Sequence, residues 1–186
     1  VAEASSRSVE KAVLWIGAAL ILLLVGFVSF TVLRPQVTEG DGGGSWGIVA
    51  ETGQVITQVS IEAGWASWGG FELVAVDDVP GAAVAGAWLQ PATERDRLPA
   101  DPLSEAFLDL DLDEAALPRR LGHQERADLI VLWDITDCSA LVERRRPEVV
   151  LHNLVGFSVR RRLAQEVAAP SFDLTVLADA GICPTR

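Results

Sequence analysis

Cations are scarce in this 186-residue chain: 15 Lys and Arg stand against 26 Asp and Glu, a net charge of −11. A nucleic-acid binder needs cations to neutralise phosphates, so the balance argues against that class. Cysteine is scarcer still, with two residues, and only two histidines accompany them. Neither His123 nor His152 has ligand-like spacing to Cys138 or Cys183, and no C-x-x-C motif occurs. Neither a metal site nor a redox motif is therefore expected, and no cofactor is called for. No period of 20–50 residues repeats, which removes solenoids. No G-x-S-x-G elbow surrounds Ser45, Ser67, Ser104, Ser139 or Ser158. With both histidines read as exposed, no nucleophile–base site is recognisable. At 49% apolar the composition is too hydrophobic for a disordered chain.

Charge is absent altogether from Ala12 to Leu33, AVLWIGAALILLLVGFVSFTVL. As a helix these 22 residues span ~33 Å, enough for a hydrocarbon core of ~30 Å. Lys11 and Arg34 bracket the run, and Trp15 stands where an interfacial aromatic would. A cleaved signal peptide would have a shorter apolar region ending in small residues, whereas this run exits through Phe30-Thr31-Val32-Leu33-Arg34-Pro35. A retained single-pass anchor in the cell membrane is the better reading, with residues 12–33 meeting the lipid bilayer. Arg7 and Lys11 precede the run and Arg34 alone follows it before Glu39 and Asp41. The positive-inside bias then makes residues 1–11 a cytoplasmic stub and places the remainder outside. The run holds no ionisable residue and no G-x-x-x-G, so anchoring is the whole role assigned to it.

Residues 34–45, with Pro35 and three consecutive glycines, read as a flexible linker. A phosphate-binding loop would need a following helix with a Lys-Ser/Thr pair, and Trp46-Gly47-Ile48-Val49-Ala50 follows instead. From residue 46 to 186 the apolar period is two. Val55, Thr57, Val59 and Ile61 alternate with Ile56, Gln58, Ser60 and Glu62. Phe71, Leu73 and Ala75 repeat the pattern, as do Val149, Leu151, Val155, Phe157 and Val159, and then Phe172, Leu174 and Val176. Ala127 to Trp133 is almost continuously apolar and fits a central strand, and Pro80-Gly81 reads as a turn. About seven short strands predict a mainly β fold, an immunoglobulin-like antiparallel β-sandwich. Residues 90–121 interrupt it with four prolines and a charged run, and read as an insertion holding an edge strand or a short helix.

Cys138 and Cys183 are an even pair in a part read as external, so a disulfide between them is expected. The anchor, Asp137-Cys138 after a strand, and the terminal Cys183 together resemble small secreted or membrane-anchored β-domains of high-GC actinobacteria. That resemblance spans about residues 127–183, and 14 Arg against one Lys suit a high-GC genome. It implies location and fold, and neither an activity nor site residues.

Three groups remain as candidate contacts. Trp65 and Trp68 lie in a glycine-bounded stretch that could display two rings, although core packing is the commoner fate of tryptophan. Asp109, Asp111 and Asp113 open like a calcium loop, yet the glycine at position six and the glutamate at twelve are missing. Alternation with Leu108, Leu110 and Leu112 reads instead as a charged edge, able to draw a cationic partner surface. Arginines cluster at 119–120, 144–146 and 160–162. Anionic lipid or cell-wall polymer could meet them, but pairing with the chain's own acids is the plainer account. The expected function is a membrane-anchored extracytoplasmic binding or accessory module. Its partner would be a neighbouring membrane or cell-wall protein. A cell-envelope hydrolase with an unrecognised site is the alternative.

Overall fold

A computed structural model describes residues 2–33, 37–49, 51–64, 70–91, 116–142, 148–153, 162–167 and 172–184. Helix α1, Ala2–Leu33, contains one stretch, Lys11–Ser29, long and apolar enough to cross a membrane, and none of it is buried. Among the described residues, every strongly exposed large apolar side chain except Val176 belongs to α1. The helix also extends N-terminally through residues 2–11, beyond the apolar run itself.

The remainder is mainly β. Strands β1 (Val37–Val49), β2 (Gln54–Ala63), β3 (Phe71–Val76), β4 (Ala82–Pro91), β5 (Arg119–Leu121), β6 (Arg126–Ile135), β7 (Glu148–Asn153) and β8 (Arg162–Glu166) form two sheets. The first runs β1-β2-β6-β4 and the second β5-β3-β7-β8, with antiparallel pairing throughout. Val55, Val59, Ile61, Leu129, Val131 and Trp133 of the first sheet share one cluster with Phe71, Leu73, Val149 and Leu151 of the second. The period of two produces this directly, because alternate side chains of each strand project to one side. Thr57 lies among the inner residues of β2, and its hydroxyl accepts from the buried Trp133 indole at 2.8 Å. The hydroxyl thereby supplies the partner that a buried indole N–H requires.

Four expectations are corrected. The stretch 34–45, expected as a linker, is part of β1 from Val37 onward. Its pairing to β2 is irregular between Glu39 and Gly44, where β1 advances five residues while β2 advances two. Backbone groups alone make the ladder, so glycines can join where the partner strand offers a free edge. The alternation at Phe172, Leu174 and Val176 does not form a strand. A short helix, α2, occupies Leu174–Asp179, and Cys183 follows that helix. In β3 a register shift between Leu73 and Ala75 makes Val76, not Ala75, the next core residue. The insertion is narrower than 90–121: Gln90 and Pro91 belong to β4, Ala116 bridges to Trp88, and β5 is an edge strand beside β3.

Candidate functional site

Strand β6 pairs along its length with both β2 and β4. At its Arg126 end, Glu62 of β2 pairs with Arg126, and Ala63 lies opposite Val37, where the chain enters the sheet. Three residues separate Val37 from the end of α1 at Leu33. Val37 is held firmly. Its N–H donates to Gln165 Oε1 at 3.0 Å, and its carbonyl accepts from Gln165 Nε2 at 2.6 Å. One side chain of β8 thus performs what a paired strand would do, joining the free edges of the two sheets.

The Ile135 end is built differently. There Gly81 adopts φ +87°, and its carbonyl accepts from the Thr136 and Asp137 amides at 2.9 and 3.1 Å. A Cβ at this glycine would collide with the Asp137 carbonyl, so the close approach itself demands glycine. Asp137 then folds the chain back, accepting from the Ser139 amide at 2.9 Å and its hydroxyl at 2.6 Å. These two bonds, the hydroxyl first, hold the Asp137 carboxyl below its ordinary range. Asp173 caps α2 by accepting from the Thr175 amide at 2.9 Å, and Gly181, at φ +73°, ends it. Leu177 is fully buried, and Phe172 meets the Trp133 ring edge-on at 6.1 Å. The Cys138–Cys183 disulfide, with Cα atoms 5.7 Å apart, fastens the helix to the β6 end.

Between these pieces lies an open cleft of about 460 Å³, lined by Cys138, Ser139, Leu174, Thr175, Ala178, Asp179, Cys183 and Pro184. That volume falls within the range of small-ligand pockets. Its lining is largely apolar and includes the polar residues Ser139, Thr175 and Asp179. Such a lining suits an apolar side chain or small molecule carrying one donor group. It does not suit nucleophilic chemistry. The hydroxyl of Ser139 is bonded to a carboxylate of lowered pKa, which is a weaker base than usual.

The histidines lie elsewhere. His123 is exposed in the turn between β5 and β6. His152 sits on the outward side of β7 with Nδ1 3.8 Å from Glu72 Oε2, beyond hydrogen-bond distance, and both are partly exposed. Among the described residues no group of three His, Cys, Asp or Glu is placed to hold a metal. Trp65, Trp68, Asp109, Asp111 and Asp113 fall outside the described residues. Of the residues named from the sequence, Cys138 and Cys183 line the cleft, together with Ser139, weighed there as a nucleophile, and Leu174, read there as a strand residue. Thr175, Ala178 and Asp179 escaped notice because α2 read as a strand. Asp173 as N-cap and Gly181 beyond the last turn were the signals that could have found them.

Compared with protein-family models, with curated proteins and with solved structures, the chain matches none of them.

Proposed function

We propose that this chain is a membrane-anchored extracytoplasmic binding or accessory module without catalytic activity. In this reading α1 crosses the cell membrane once, with the N-terminus cytoplasmic, and the β-domain stands outside as an immunoglobulin-like sandwich. Strand order supports the fold assignment. Taking β1, β2, β4 and β6 as A, B, D and E, the first sheet runs A-B-E-D, and β3-β7-β8 runs C-F-G. That is the order of constant-type immunoglobulin sheets, here with β5 added beside C. The charge-free run, and Arg7 and Lys11 before it, support the anchor and its direction. The resemblance to membrane-anchored β-domains of actinobacteria is consistent with both.

The observation that carries the functional reading is the opposition of the two ends of β6. The chain enters at the Arg126 end, and the cleft opens at the Ile135 end. A strand of ten residues puts ~30 Å between them, so the cleft points away from a bilayer that holds α1. A partner on a neighbouring membrane or cell-wall protein would be met there. Two experiments test the reading. Protease added to intact spheroplasts should digest the chain beyond Arg34; protection until the membrane is opened rejects the orientation. Proteins co-purified in mild detergent should be lost from a chain carrying Thr175→Arg and Ala178→Trp, which fill the cleft. A variant that keeps its disulfide and every partner rejects the cleft as the binding site.

A further inference from the structure

Charge divides the β-domain along β6. Among its described residues, every Arg and His lies at the end where the chain enters. Arg126 opens β6, His123 stands in the turn before it, and Arg119 and Arg120 belong to β5, which leads into that turn. Arg120 is the register partner of Glu72, Glu72 of His152, and His152 of Arg162. The cleft end is the reverse. Asp179 lines the cleft, and Asp137 and Asp173 adjoin its lining residues Cys138 and Leu174. Asp134 lies one residue from the end of β6. The Asp77 amide donates to the Glu148 carbonyl at 2.9 Å, and Glu148 is the register partner of Glu166. All seven acids are exposed, and no described cation accompanies them. They outnumber Arg144, Arg145, Arg146, Arg160, Arg161 and Arg186, the arginines between residues 143 and 186 that fall outside the described residues.

The acidic end is also the one that offers apolar contact. The cleft, at about 460 Å³, has room for a side chain rather than a length of chain. Val176, next to the lining residue Thr175, is 43% exposed, and no other large apolar side chain outside α1 is strongly exposed among the described residues. We propose that the cleft takes an apolar side chain carried on a cationic segment of polypeptide, whose flanking Lys or Arg residues meet the surrounding carboxylates. This rests on the reading of the cleft as the binding site and gives its partner a chemistry. Charge complementarity decides among occupants. A nucleic acid or an anionic lipid surface carries the same sign as this end and is repelled. A second copy set end to end would oppose acid to acid. A small amine meets one carboxylate, whereas these come from both sheets and from α2. Packed sheets lie ~10 Å apart, so several linked residues are needed to reach them. Exposed ion pairs add little individually, so the carboxylates speed encounter and reject wrong partners while the apolar side chain supplies the hold.

The test titrates the full chain, in uncharged detergent micelles, with short synthetic peptides while the Ser139 and Thr175 amides are followed by NMR. Lys-Lys-Leu-Lys-Lys should shift both amides saturably, and several-fold more weakly when salt rises from ~50 to ~300 mM. Ser-Ser-Leu-Ser-Ser and Lys-Lys-Gly-Lys-Lys, each lacking one half of the recognition, should bind several-fold more weakly still. Asp179→Asn should cost the lysine peptide ~2- to 5-fold in affinity. Glu148→Lys with Glu166→Lys should also weaken it, although neither residue lines the cleft; that pair keeps like charges opposite each other, so the unfolding midpoint serves as its control. Equal binding of the serine and lysine peptides overturns the cationic partner and leaves the cleft as a binding site. Equal binding of the leucine and glycine peptides reduces the effect to charge attraction and overturns the proposal. Silence from every peptide, while Thr175→Arg with Ala178→Trp still costs the chain its co-purified proteins, overturns it too, with the cleft reading intact. Lysine-peptide binding that survives those two substitutions rejects the cleft itself. Binding that appears only after Arg144, Arg145 and Arg146 are changed to Gln makes the chain its own occupant and also overturns the proposal.

Discussion

The two ends of the β-domain solve the same problem by unlike means. At each, a segment of chain must be fastened in place. Near the anchor, Val37 is held by two hydrogen bonds from the one side chain of Gln165. At the far end, a covalent bond from Cys138 to Cys183, a buried Leu177 and the Asp137 turn hold α2. The first fastening can open and close without chemistry. The second cannot. A cleft meant for recognition benefits from walls that do not reorganise, because ordering them at the moment of binding costs affinity. The covalent end is the end with the cleft.

Reducing the disulfide is the most severe way to break this comparison. The bridge joins residues 45 apart, and closing a loop of that size is worth ~4 kcal/mol in the chain-entropy account. Cys138→Ser with Cys183→Ser should therefore destabilise the domain by that order, read from urea unfolding. Hydrogen exchange should rise first in Leu174–Asp179, while β2 and β6 keep their protection until global unfolding. Equal loss of protection at both ends would mean that the bridge stabilises the whole domain rather than the cleft.

A smaller effect is expected at the anchor end. Gln165→Ala leaves the amide and carbonyl of Val37 without their partners, and Val37 is 7% exposed. A buried backbone group left unsatisfied costs ~1–3 kcal/mol, so the variant should lose about that much, with faster exchange confined to the start of β1. Gln165→Leu should not rescue it, since shape without a donor and acceptor restores neither bond. If Gln165→Ala unfolds at the wild-type urea midpoint, the clasp contributes nothing measurable to stability.

Legibility in the sequence also divides by region. The inner faces were readable where Val59 and Ile61, or Phe71 and Leu73, are separated by Ser60 and Glu72, polar residues that stay partly exposed. The outer side of the first sheet was not, because Ile56 and Ile130 are buried there as well, and period-two patterns lose their meaning when both faces are covered. Even in β3 one register shift exchanged Ala75 for Val76 in the core, which a regular alternation cannot anticipate. Chain entry was misread for a compositional reason. Glycines suggest a tether, but a strand edge recruits backbone and is indifferent to side chains. The cysteine pairing was legible because two cysteines leave one intramolecular choice. The cleft was not, since four of its eight lining residues belong to α2, which reads as a strand by alternation and as a helix only by its caps.

The smallest expected effect concerns the turn that leads into the cleft, and it follows from protonation. Asp137 accepts from the hydroxyl and the amide of Ser139, bonds that favour the carboxylate and lower its pKa from 3.8. A carboxyl whose folded pKa is depressed stabilises the fold above its unfolded value, and that contribution disappears as pH falls through the folded pKa. The window is therefore below pH 3.8, and at neutral pH the turn is fully formed. An NMR titration from pH 6 to 2 should show the Ser139 amide holding its shift until the pH has passed below 3.8, then moving as the bond is lost. In Asp137→Asn the amide should start from an altered position and stay flat across the range, because the neutral amide oxygen accepts without titrating. Val37 should not respond in either protein, since its partner is an uncharged glutamine. A Ser139 amide that titrates at or above the ordinary aspartate range would show that its bonds to Asp137 do not persist in solution, leaving the disulfide and α2 to shape the cleft alone.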